Sequence, residues 1–148
     1  MHIEAILWAT AVAAFDQLGK FLAVRFLKPH QPLSVIDDFF RLTLTRNPGG
    51  AFGILSENGS FITLITAAVG IAVLGVLLFA ELRSPYVKAG LILIAGGALG
   101  NLIDRLRFGH VIDFLDFRVW PVFNFADTAI VLGTALVILA LFSREARL

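Results

Sequence analysis

The stretch GGALGNLIDRLRFGHVIDFLDFRVWPVFNFADTAI, residues 96–130, decides how the rest of the chain is read. Apolar sequence leads into it and out of it, and one carboxylate stands near the inner end of each apolar segment, Asp113 and Asp127. If those segments are antiparallel membrane helices joined by a turn of about ten residues, both carboxylates lie at one membrane face and can meet. Two carboxylates that share a site do not easily both ionise. One keeps a proton while the other can accept one, and the pair can activate a water. Ionisable groups beside hydrocarbon are costly to keep, which makes them functional candidates by default.

Upstream of the acids, a helix over 86–108 carries Gly96, Gly97 and Gly100, small residues of the kind that let membrane helices approach closely. Gly109 is a natural C-cap, and Arg105 and Arg107 fall in the last turn, where cations suit the helix dipole. Those arginines therefore have a sufficient structural explanation. Asp113 comes four residues after the stop, where neither capping nor the dipole asks for an acid. Downstream, a helix over 123–142 begins with Asn124 followed three residues later by Asp127, which resembles a capping box. That structural reading competes with a catalytic one.

Further out, a composition of 58% hydrophobic residues and a mean hydropathy of +0.87 put the 148 residues in the membrane class, as a single domain. The net charge of +1, with Lys and Arg scattered, gives no reason to expect nucleic acid. The absence of cysteine excludes disulfides, thiol catalysis and thiolate metal sites. A first helix over 5–27 is interrupted by Asp16, Gln17, Lys20 and Arg25. Its beginning offers His2 and Glu4 where a cleavable signal peptide would have Lys or Arg, so it is read as retained. Asp16 and Lys20 stand four apart on one helical face, either as a neutralising pair or as support for a site. The second helix, 61–80, contains the uncharged run Phe61–Phe79.

Residues 28–60 differ in character. Phe40, Leu42 and Leu44 alternate with Arg41, Thr43 and Thr45, the pattern of a half-buried strand; NPGG at 47–50 signals a turn and AFGIL at 51–55 offers a returning strand. The fold class is thus a mainly α membrane protein of four transmembrane helices, with a small extramembrane β-hairpin or cradle between the first two. Four spans put both termini on one side. Arg83, Lys88, Arg144 and Arg147 on one side are balanced by Lys28, Arg41, Arg46, Arg105, Arg107 and Arg118 on the other, so the positive-inside count does not set the orientation.

With these residues in place, the chain resembles the bacterial lipoprotein signal peptidases, also called signal peptidase II. The resemblance rests on DQLGK at 16–20, RNPGGAFG at 46–53, GGALGNLIDR at 96–105, GHVIDF at 109–114 and FNFAD at 123–127, in that order over nearly the whole length. It implies an aspartic peptidase that removes the signal peptide of prolipoproteins once a diacylglyceryl group is attached to the lipobox cysteine. Carried over by motif, Asp113 and Asp127 are the catalytic dyad and Asn124 orients it. Asn101, Arg105 and Asn47 contact the substrate backbone or hold the site open, with Asp104 and Asp16 as structural supports. The resemblance also implies cytoplasmic termini, an active site at the outer face of the inner membrane and a strand-rich cradle on that face; separately, a monomer is expected. The connection from Phe114 to Phe123 is short for that family.

The chemistry then expected is a water held between the two acids, losing a proton to the ionised one as it attacks the carbonyl before the lipidated cysteine. The diacylglycerol chains dock on apolar helix surface in the bilayer, and no metal or organic cofactor is needed. A serine peptidase fits poorly, since His2, His30 and His110 have no Ser in a GxSxG setting, and HExxH is absent. The competing class is a small proton-coupled transporter using Asp16, Asp104, Asp113 and Asp127 as a relay. That reading asks for acids spread across the membrane depth. A non-catalytic scaffold, the third reading, leaves both acids replaceable.

Overall fold

The computed structural model describes residues 2–29, 31–48 and 59–143. Its elements in chain order are α1 (His2–Phe26), β1 (Leu33–Ile36), β2 (Phe40–Asn47), α2 (Gly59–Phe79), α3 (Pro85–Phe108), β3 (Val111–Asp116) and α4 (Phe125–Phe142). All four helices are long and apolar enough to cross a membrane. Large apolar side chains turn outward along them, Phe79 and Phe142 being 88% and 89% exposed, which is tolerable only where the surroundings are themselves apolar.

The central helix is α3, which packs against α1, α2 and α4. Its limits are written locally. The Ser84 side chain accepts a hydrogen bond from the Val87 N–H and Pro85 occupies the first turn, while Gly109 closes the other end at φ 75° and donates its N–H to the Arg105 carbonyl. Packing between membrane helices relies on close backbone approach. A Cβ on Gly90 would lie 2.6 Å from the Gly133 carbonyl oxygen, and one on Gly133 would lie 2.5 Å from that of Gly90, so α3 and α4 can cross this closely only because both positions are glycine.

At one end of the bundle the three strands form an antiparallel sheet in the order β1-β2-β3. The alternation over residues 40–45 does fold as a strand, and β2 is the middle one, with Leu33 opposite Leu42 on one side and Thr45 opposite Asp113 on the other. The sheet extends beyond a local hairpin, because β3 is drawn from the connection between α3 and α4. That connection is longer than a ten-residue turn, since α4 does not begin until Phe125. The expected returning strand at 51–55 lies outside the described residues. In VIDFLD an acid falls in each alternating set, Asp113 with Val111 and Leu115, Asp116 with Ile112 and Phe114, so the period-two signal is lost although nearly every residue is buried.

Candidate active site

Asp113 projects from the middle of β3 and Asp127 from the first turn of α4. Asn124 joins them. As the N-cap of α4 it accepts from the Asp127 N–H at 2.9 Å through its side-chain oxygen, while the Asp127 carboxylate accepts from the Asn124 N–H at 3.3 Å. The capping box is therefore formed, and the same asparagine donates its Nδ2 to Asp113 Oδ1 at 2.6 Å. One side chain thus makes both the cap and the contact with Asp113. Asp113 Oδ2 accepts from Asn47 Nδ2 at 2.9 Å, and Asp127 Oδ1 from Asn101 Nδ2 at 2.8 Å. Asn47 reaches Asp113 because it lies two residues beyond Thr45, the strand partner of Asp113, and so shares its face of the sheet.

All four oxygens of the two acids thus accept from uncharged N–H donors, three of them from asparagine side chains. Among the described residues no Lys or Arg forms an ion pair with either. Neutral donors orient a carboxylate and favour its ionised form less than a paired cation does. Burial and the neighbouring Asp127 push the Asp113 carboxyl up to about 7, against the lowering influence of the Asn47 and Asn124 hydrogen bonds and the Lys20 charge. Asp113 therefore keeps its proton to a higher pH than an exposed aspartate does.

A second cluster supports the first. Lys20, 2% exposed, is surrounded by Asp16 Oδ2 at 2.8 Å, Asp104 Oδ2 at 2.9 Å and Asn101 Oδ1 at 3.0 Å, one acceptor for each ammonium proton. Asp16 also takes the Ala126 N–H at 2.8 Å, so α1 satisfies an otherwise orphan donor in the first turn of α4. Asp104 takes the Ile112 N–H at 3.0 Å and Gln17 Nε2 at 2.9 Å, tying β3 to α3 and α1. Between them these two acids fix where β3 and α4, and hence Asp113 and Asp127, sit.

Beside the dyad lies a cavity of about 260 Å³, lined in its polar part by Asn47, Asn101, Arg105 and Asp127 and in its apolar part by Trp120, Ile130 and Val131. Asp127 opens into it, whereas Asp113 lies behind, 1% exposed. Arg105 is within electrostatic reach of Asp127, Asp113 and Asp104, yet its buried Nε has no hydrogen-bond partner among the described residues. A buried donor left unmatched at the wall of a cavity is suited to an incoming acceptor. Farther along β3, burial works to raise the Asp116 carboxyl, but the Thr43 hydroxyl, the Arg118 N–H and Arg41 outweigh it and hold it below the usual range.

The sequence-based candidates Asp113, Asp127, Asn124, Asn101, Asn47, Asp104 and Asp16 fall in one connected network, with Arg105 at the cavity wall. Lys20, read from the sequence only through its pairing with Asp16, belongs to it as well, and so does Gln17. Their signal was the motif DQLGK, in which the spacing of Asp16 and Lys20 pointed to a pair but not to the other partners of Lys20, Asp104 and Asn101 on α3. The four acids gather at one end of the bundle and are not strung across the membrane depth, which disfavours a relay. Among the described residues no three metal-ligating side chains converge. Of the histidines, His2 Nδ1 pairs with the Leu77 carbonyl at 3.0 Å, the His110 ring lies tilted beside that of Phe108, and His30 lies outside the described residues.

Residues 8–143 match the family model described as Signal peptidase (SPase) II. The chain is 48% identical to the lipoprotein signal peptidase of Moorella thermoacetica, over 86% of its own length and 85% of that protein's. It is 46% identical to the lipoprotein signal peptidase of Halothermothrix orenii, over 90% and 92%. A solved structure described as a bacterial membrane enzyme superposes with a TM-score of 0.85 at 35% identity, over 93% of this chain and 87% of the other.

Proposed function

Because the chain belongs to the signal peptidase II family, a family of aspartic peptidases, we propose that Asp113 and Asp127 are the catalytic dyad with which it hydrolyses its substrate. The activity is cleavage of signal peptides from prolipoproteins, carried out by a multi-pass membrane protein. The observation that carries the dyad is the shared environment of the two acids, bridged by Asn124 and supplied only with neutral donors. In that environment one acid ionises at the expense of the other, as general base and general acid catalysis by a pair requires.

The substrate is a diacylglyceryl-modified prolipoprotein, cut just before the lipidated cysteine. A water between the acids gives its proton to the ionised one and attacks the scissile carbonyl, while the protonated one donates to the carbonyl oxygen; a proton then reaches the leaving amine. Arg105 and Asn47 receive the substrate backbone, Arg105 with its unmatched Nε and Asn47 at the cavity wall. Asn101 and Asn124 orient the acids, and Asp16 and Asp104 hold the elements that carry them. The acyl chains lie against apolar helix surface within the bilayer and bring the scissile bond to the site. The whole chain forms one domain of the bacterial inner membrane and works as a monomer, with both termini cytoplasmic and the sheet end facing outward.

The test is purified protein incubated with a prolipoprotein that does or does not carry the diacylglyceryl group, using wild type, Asp113→Asn and Asp127→Asn. Cleavage of the lipidated form alone, lost in both variants, is expected. Full activity in either folded variant removes the dyad assignment, and cleavage of the unlipidated form at an equal rate removes the lipid requirement.

A further inference from the structure

Lys20 does not touch the dyad, yet it is one side chain removed from it. Its third proton goes to Asn101 Oδ1. An amide whose oxygen is held by an ammonium has one remaining way to point, and the Nδ2 of Asn101 then meets Asp127 Oδ1 at 2.8 Å. The Asn124 Nδ2 donates to the same Asn101 oxygen at 3.1 Å and reinforces this orientation. We propose that Lys20 is a positioning residue of the reaction: by locking the Asn101 carboxamide with its NH2 group on Asp127, it makes Asp127 the acid that stays ionised and leaves the proton on Asp113.

Three further observations agree. Asp127 sits in the first turn of α4, where the N–H groups of the helix end favour a negative charge. It opens on the cavity that a water must enter, so the base faces the nucleophile. Asp113 is buried behind it, and burial resists its ionisation. The charged groups facing the pair are Asp16 and Lys20 from α1 and Asp104 and Arg105 from α3, while β2 contributes the neutral Asn47. By its charge alone Lys20 also favours ionisation of Asp113. Its selective effect on Asp127 therefore runs through the Asn101 amide, and a test must separate contact from charge.

The inference rests on the dyad reading, and the experiment distinguishes the two. The dependence of kcat/KM on pH is measured in detergent micelles with a diacylglyceryl-modified prolipoprotein, for wild type, Asp104→Asn, the double variant Lys20→Met/Asp104→Asn, and Asn101→Ala. The double variant removes one charge of each sign, so the buried cluster keeps its net charge and loses the Lys20 contact to Asn101. Asp104→Asn alone retains that contact. Relative to wild type, the acid limb is expected to move to higher pH by about one unit in the charge-balanced double variant, the size of one hydrogen bond to a charged group, and not to move upward in Asp104→Asn. A structural role lowers the melting temperature and the rate but leaves the limb where it is.

Asn101→Ala leaves the Lys20 ion pairs intact and must move the limb equally, so the inference can fail even if the double variant does not fold. An unmoved limb in folded Asn101→Ala, or in the folded double variant relative to wild type, overturns it while the dyad stands. Wild type that leaves the lipidated substrate uncut overturns the dyad reading itself.

Discussion

Asp16 and Asp104 on one side, and Asp113 and Asp127 on the other, are neighbouring pairs of acids at one end of the same bundle, and their company differs. The first pair shares the ammonium of Lys20 at 2.8 and 2.9 Å. The second pair has asparagine amides and one backbone N–H in place of a cation. An ammonium between two carboxylates balances one of their charges and fixes their geometry. Neutral amides fix geometry and leave charge unbalanced, so the second pair is the one that must resolve its repulsion with a proton. The lesson is that burial and membrane depth do not by themselves mark an acid as catalytic. The identity of the donor does, and a carboxylate already committed to a buried lysine is an anchor.

The sharpest way to break this contrast is to remove each kind of acid and read activity and stability separately. Asp113→Asn and Asp127→Asn are expected to lower kcat by about 10³-fold or more, the scale of lost acid–base catalysis, with a cooperative thermal transition retained. Asp16→Ala is expected to do the opposite. It strips Lys20 of one buried partner and the Ala126 N–H of its acceptor, at a cost of about 3 kcal/mol in stability, while folded molecules keep activity within about tenfold. Circular dichroism melts beside a cleavage assay check both, and a thermally indifferent Asp16→Ala would erase the distinction between anchor and dyad.

A smaller effect follows from the position of the Asp113 carboxyl. Folding raises it from the ordinary 3.8 to about 7 through burial and the neighbouring Asp127. The sign is that of a raised acid: its contribution is fully favourable below about pH 4 and is lost as pH climbs through about 7. Asp113→Asn has no such group, so the melting temperature of the variant relative to wild type should rise between pH 4 and pH 7 and level off above. A difference that stays flat across that range would mean Asp113 ionises as readily folded as unfolded, which would remove the reason for the pair to hold a proton.

How far this division could be read in the sequence depends on the distance over which each contact acts. The two catalytic candidates and the cap of α4 are local: VIDF follows a helix stop at Gly109, and Asn124 and Asp127 are three residues apart. The four spans and the strand over 40–47 follow from hydropathy and alternation. Asp16 and Lys20 were legible as one helical turn. What could not be read are the other two partners of Lys20, because Asp104 and Asn101 come to it only when α3 packs on α1. The strand β3 was equally hidden. Its acids Asp113 and Asp116 interrupt both alternating sets of an otherwise apolar run, and the partners that justify them, Asn47 for one and Thr43 for the other, come from a strand some 70 residues earlier whose register is set by pairing.

The finest probe of the comparison is a single methyl group at the place where α3 meets the anchor pair. A Cβ on Gly100 would lie 2.6 Å from Asp16 Oδ2 and 3.2 Å from its Cγ, and the Gly100 carbonyl accepts from Gln17 at 3.1 Å. Asp16 cannot swing away freely, since Lys20 and the Ala126 N–H hold its two oxygens. Gly100→Ala is therefore expected to cost about 1–3 kcal/mol by overpacking. Gly75 on α2 has nothing within 4 Å of its would-be Cβ, so Gly75→Ala there should instead be neutral or gain up to about 1 kcal/mol from helix preference. If Asp16 is an anchor, Gly100→Ala lowers the melting temperature and leaves the pH profile of cleavage in place. A displaced profile would mean that moving Asp16 by a few tenths of an ångström is transmitted through Lys20 and Asn101 to Asp127, and the two pairs of acids would then be one coupled system.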